Sequence, residues 1–230
     1  MAGDAIANTS TAKRACGLSL AGAATAVIAG LTLDLAASAQ TTLSPDAALQ
    51  QLLDGNRRFA EGRMTSFDED LNVLKAKTVE KQEPFAAVLS CADSRVPVEL
   101  IFDQSIGHLF VTRVAGNIAT SAMIASLEYG VAVLGTKAIM VLGHANCGAV
   151  KASIEAKAVP GQISALYAYI RPAVDQAGPN LAAAIKANAK IQAALLRQSS
   201  PLLAGHIKQN QLKIVAGYYD LASGKVSVID

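Results

Sequence analysis

The sequence predicts an α/β fold: a mostly parallel central β-sheet, of about four parallel strands plus an antiparallel edge strand, flanked by helices. Three observations carry this. Apolar runs of strand length recur at Phe85–Cys91, Leu109–Thr112 and Ala138–Leu142. They are almost unbroken by polar residues, as expected of strands covered on both faces. Helix-length segments alternate with them, and the chain closes on two strand-like segments around a short turn.

Each element has a local reason. Ser44-Pro45-Asp46 supplies an N-cap, a proline for the first helical position and an acidic first turn. Apolar residues then follow at helical spacing through about Glu61. A second helical piece covers Glu69 to Lys81, and Pro84 ends it. Ser121 to Leu134 is long and periodic enough for a helix between two strands, and Ala149 to Ala156 predicts another after Cys147. Asn180 to Arg197 predicts a long helix bounded by Pro179 and by Pro201 just beyond its end. Lys213–Tyr219 and Lys225–Ile229 flank Ala222-Ser223-Gly224 and predict a terminal hairpin or edge pair.

The first 39 residues read differently. Lys13 and Arg14 open a basic start, an apolar stretch runs from about Leu18 to Leu33, and Ala37-Ser38-Ala39 ends in small residues. This is the pattern of a secretory signal, with an uncleaved membrane anchor as the alternative. The Lys-Arg pair also resembles a weakened twin-arginine signal. The expectation is a signal peptide at 1–39, one domain at 40–230, and export, in a bacterium to the periplasm, with no membrane association after cleavage. Cys16 precedes the apolar stretch, where a lipid-attachment cysteine would not sit. Cleavage would remove Asp4, Lys13, Arg14 and Asp34, so the net charge stays at +2. That charge, with no dense basic run, argues against nucleic acid as a partner. With 52% hydrophobic and 17% charged residues, the 230-residue chain is built to fold around one core, not to remain disordered.

Two motifs carry chemistry. Cys91-Ala92-Asp93-Ser94-Arg95 follows the first strand and His144-Ala145-Asn146-Cys147-Gly148 follows the third. Extended backbone would put Cys91, Asp93 and Arg95 on one side. Cys147 would lie at a helix N-terminus, which favours a thiolate. Both motifs fall beyond the carboxyl ends of strands, where open α/β sheets build their sites. Two sulfurs and one imidazole form a donor set that suits Zn2+ and leaves a fourth position open. On residue types alone, a Cys91–Cys147 disulfide or thiol redox chemistry also remains open. Asp93 and Arg95 alone could be an ordinary ion pair.

CADSRVP (Cys91 to Pro97), RVAGN (Arg113 to Asn117), SLEYGV (Ser126 to Val131) and GHANCGAV (Gly143 to Val150) together resemble the β-class carbonic anhydrases in order and spacing, and the resemblance runs from about Leu43 to Tyr219. It implies Cys91, His144 and Cys147 as zinc ligands. It implies that Asp93 either ligates zinc in a closed form or leaves it to pair with Arg95, both residues then being catalytic. It places Gln82, Gly148, Phe110 and Tyr129 in the substrate site, with Ala115 smaller than the residue often found at its position. The implied reaction is reversible hydration of CO2 to bicarbonate and a proton, by hydroxide attack at the metal. The implied assembly is a homodimer or dimer of dimers, with an N-terminal helical arm around the partner and the site at the interface. Hydrolysis of carbon disulfide or carbonyl sulfide on the same scaffold, or a non-catalytic zinc-binding or disulfide-linked protein, are the alternatives. His108 and His206 read as structural or surface residues.

Overall fold

The structure is a computed structural model that describes residues 40–66 and 71–230. The signal-peptide expectation lies outside the described residues. The described chain runs α1 (Pro45–Ala60), α2 (Leu71–Thr78), β1 (Ala86–Ser90), α3 (Val98–Ile101), β2 (Leu109–Arg113), α4 (Ser121–Ala132), β3 (Ala138–His144) and α5 (Gly148–Glu155). A 3-10 turn (Ile163–Leu166) leads into α6 (Tyr167–Ala177), α7 (Leu181–Ser199), α8 (Pro201–Lys208), β4 (Lys213–Tyr219) and β5 (Val226–Val228). The sheet order is β2-β1-β3-β4-β5. The first four strands are parallel and β5 is antiparallel to β4. This is the sheet the apolar runs predict.

Strand alternation divides the core into two layers. Ala86, Val88, Ala138, Met140 and Leu142 face the layer that holds Ala48 and Leu52 of α1 and Ile101 of α3. Ala87, Leu89, Ile139 and Val141 face Leu127 of α4, Ala193 and Leu196 of α7, and Leu203 of α8. Full burial of one such Leu or Ile is worth about 1.5–3 kcal/mol. The N-terminal helix thus lies on its own chain's sheet. Gly55 makes this close crossing possible, because a Cβ there would sit 1.8 Å from the Phe102 carbonyl oxygen. The caps read from the sequence form: Ser44 Oγ accepts the Ala47 N–H at 3.2 Å, and Asn180 Oδ1 accepts that of Ala183 at 3.0 Å.

Three helices are additions to the sequence reading: the single turn of α3, and α6 and α8. Pro201 does not merely follow α7. It is the first residue of α8, whose N-cap Ser200 accepts the Leu203 N–H at 3.1 Å. Helix α6 carries Pro172 inside it and ends at Gly178, residues that mask its periodicity. The second helix ends at Thr78, short of Lys81, while Glu69 and Asp70 lie outside the described residues.

Candidate metal centre

The parallel register of β1 and β3 pairs Ser90 with Leu142, so the two strand ends lie side by side. Cys91 leaves the end of β1, His144 closes β3, and Cys147 is the N-cap of α5. Their three ligand atoms all lie within 4.8 Å of one another, and all three residues are buried. Among the described residues this group has the geometry to hold a metal ion. The sulfurs are 4.0 Å apart and both thiols are free, so the disulfide is not formed.

Each donor is prepared by its surroundings. Cys91 Sγ accepts the backbone N–H of Gly116 at 3.3 Å. The hydrogen bond from the Cys147 thiol holds Cys91 far below the ordinary thiol range, against the opposing effect of burial. The same bond, with burial, pushes Cys147 up, although the first N–H groups of α5 oppose this. A metal ion bound by both sulfurs would displace the protons their thiols carry. His144 Nδ1 lies 2.9 Å from the Ala145 carbonyl, which can only accept, so Nδ1 carries the hydrogen. In the neutral ring the lone pair is then on Nε2, a fully buried atom with no hydrogen-bond partner. A buried orphan of this kind asks for a ligand.

Asp93 stands beside this cluster and outside it. Its Oδ2 is 3.8 Å from His144 Nε2. Arg95 donates to both carboxylate oxygens, from Nε at 2.9 Å and from Nη2 at 2.7 Å. Those bonds hold the Asp93 carboxyl well below the usual carboxylate range, and Asp93 in turn raises Arg95. Of the two expected arrangements, this structure adopts the one with Asp93 on Arg95. The condition of extended backbone is not met past the strand end: Ser94 and Arg95 form a turn, and the contact is made by folding back. Arg113 braces that turn, donating to the Cys91 carbonyl at 3.0 Å and the Asp93 carbonyl at 2.7 Å. RVAGN contained this residue, but nothing in its spacing assigned it a bracing role.

The remaining site residues fall in two places. Gly148 starts α5 next to Cys147, and a Cβ there would meet nothing within 4 Å, so its backbone borders open space. Gln82 and Tyr129 line a separate cavity of about 530 Å³, with Thr78, Lys81 and Val133. Phe110 packs near it, its ring centroid 6.2 Å from that of Tyr129. None of Cys91, His144 or Cys147 lines this cavity.

Comparison with known proteins agrees with the geometry. A carbonic anhydrase family model matches residues 86–226. The chain is 34% identical over 196 residues to a carbonic anhydrase of Mycolicibacterium smegmatis, covering 80% of this chain and 93% of that one. Among solved structures, the β-carbonic anhydrase CcaA matches with 26% identity and a TM-score of 0.62, over 79% of this chain and 95% of that chain. The Coccomyxa β-carbonic anhydrase matches with 27% identity and a TM-score of 0.62, over 79% and 86%. A sheet of this order, two cysteines and a histidine at the ends of its neighbouring strands, and these likenesses across most of the chain place it in the carbonic anhydrase family, in the β class.

Proposed function

We propose that this protein catalyses the reversible hydration of CO2 to bicarbonate and a proton, with Zn2+ held by Cys91, His144 and Cys147. The observation that carries this is the buried two-sulfur, one-nitrogen cluster with the Asp93–Arg95 pair beside it. The donor set fits zinc. Tetrahedral Zn–S bonds of about 2.3 Å place two sulfurs roughly 3.8 Å apart, and here they stand at 4.0 Å. When bound, zinc supplies a Lewis acid that makes a water molecule nucleophilic near neutral pH.

The chain's own groups do the rest. Arg95 fixes both oxygens of Asp93, so the carboxylate stays anionic and oriented. It accepts a hydrogen bond from the attacking oxygen and aims that oxygen's lone pair at the substrate carbon. The Gly148 N–H, bordering open space, offers a donor to substrate oxygen. Gln82, Phe110 and Tyr129 complete a binding pocket in a homo-oligomer, where a second copy brings their cavity towards the metal centre. Residues 1–39 act as an export signal and residues 40–230 form the working domain in the periplasm.

The test is zinc content together with the CO2 hydration rate across pH, with carbon disulfide hydrolysis measured alongside. One zinc per chain and fast CO2 hydration are expected. Zinc-loaded protein that hydrolyses carbon disulfide but leaves CO2 untouched would refute the substrate, and protein without zinc or hydration would refute the whole reading.

A further inference from the structure

The donor to Cys91 is itself held from behind. Gly116 gives its N–H to Cys91 Sγ at 3.3 Å, while its carbonyl accepts from Asn188 Nδ2 at 2.8 Å. Asn188 lies in mid-α7 and is fully buried. Its Oδ1 accepts from Gln192 Nε2 at 3.2 Å, so its amide cannot flip without setting one NH2 against another. Gln192 also donates to the Tyr169 carbonyl at 3.1 Å and accepts the Ala119 N–H at 2.9 Å. These two carboxamides, one helical turn apart, hold the loop at Gly116 and at Ala119 and tie it to α6 at Tyr169. Otherwise the buried residues of α7 are Ala, Ile and Leu. Burying two polar side chains there is unfavourable unless every bond is made, and a fully made network specifies one arrangement. Gly116 has a φ of +78°, and a Cβ on it would come within 2.7 Å of Ile170 Cδ1. The loop is therefore closed in by α6 on one side and by α7 on another.

We infer that Asn188 is a positioning residue of the metal centre, acting through Gly116. It holds the Gly116 carbonyl so that the N–H of the same residue stays on the Cys91 sulfur. This rests on the reading of Cys91, His144 and Cys147 as ligands of one metal ion. An N–H on a ligating sulfur withdraws charge from it and fixes where its remaining lone pairs point. Loss of such an outer partner typically weakens metal binding about 10–100-fold.

The experiment uses the zinc-loaded protein and its Asn188→Leu variant, which keeps the size of the side chain and loses the donor. Zinc affinity is read by chelator competition, and the sulfur-to-metal charge-transfer band is read after cobalt(II) substitution. The expected result is about 10–100-fold weaker zinc binding and a displaced cobalt band. Leu196→Ala, on the same helix but in the other core layer, should lower the melting temperature and leave both readings unchanged. Wild-type affinity and band in Asn188→Leu would overturn the inference, as would an equal loss in Leu196→Ala. A measurement on the wild type does not depend on variant folding: cadmium-113 in the site should couple through the hydrogen bond to the Gly116 amide proton. Absence of that coupling would also overturn the inference. Failure of the underlying ligand reading looks different, because the wild-type protein would then bind neither zinc nor cobalt through sulfur.

Discussion

Asp93 is the residue whose environment says most about its use. It is anionic because Arg95 binds both its oxygens, and it stands 3.8 Å from His144 Nε2 without taking a place in the cluster. Asp93→Asn removes the charge and keeps the shape. It should retain stoichiometric zinc and lose roughly 100-fold in hydration rate. Metal analysis and stopped-flow hydration together check this, and near-normal turnover would remove Asp93 from the mechanism. Cys147→Ser exchanges a soft sulfur for a hydroxyl at the N-cap of α5. A capping oxygen suits the helix well, so the fold should hold while zinc falls well below one per chain in elemental analysis. Stoichiometric zinc in that variant would refute the ligand assignment.

Among the elements, the packing of α1 depends on polar anchors as much as on leucines. Asn56 donates to the Ile101 and Gly224 carbonyls and accepts the Val226 N–H, which ties α1 to α3 and to the β4–β5 hairpin. Asp103, at the end of α3, is buried and accepts from Arg58 of α1 and from the Thr65 and Ser66 backbone N–H groups. Burial pushes its carboxyl up, but the bonds from Ser66, Arg58 and Thr65 outweigh this and hold it at about 2, below its ordinary 3.8. A carboxyl lowered on folding stabilises the fold above its unfolded value, and that contribution is lost as pH falls through the folded one. Asp103 should therefore contribute about 2 kcal/mol at neutral pH, fading between about pH 4 and pH 2. Urea unfolding across that range should show the loss in the native protein. Asp103→Asn should be less stable at neutral pH and flatter in acid, and an unchanged slope would show that the carboxylate is not what anchors α3.

At the scale of the whole molecule, the metal centre joins parts of the chain that are far apart in sequence. Cys91 follows β1, His144 ends β3 and Cys147 starts α5, and behind them Ile118, Val150, Ile170 and Ile185 form a third apolar cluster. A cation on those three ligands would cross-link two strand ends and a helix start. Binding to the native state alone adds about 4 kcal/mol when the free ion is a thousandfold above its dissociation constant. Stripping zinc with a chelator should lower the melting temperature by several degrees. Added zinc should restore it and magnesium should not, since hard cations gain little from sulfur. Thermal scans at fixed protein concentration check this, and a melting temperature indifferent to chelator would contradict a shared ion.

The strands themselves and the motifs at their carboxyl ends were legible because both are written locally. Apolar runs such as AAVLS and AIMVL mark buried strands, and the residue types of CADSR and HANC name a donor set whatever surrounds them. Helix α6 was hidden by Pro172, and α8 by reading Pro201 as a stop instead of a start. The tertiary structure decided whether the two sulfurs bond to each other or stand 4.0 Å apart, whether Asp93 joins the cluster or Arg95, and that Asn188 reaches Gly116 across 72 positions. The physical reason is one of range. Periodicity and capping act over a few residues, whereas the distance between Cys91 and Cys147 is set by the β1–β3 register and by the packing of α5, α6 and α7, which no local pattern encodes.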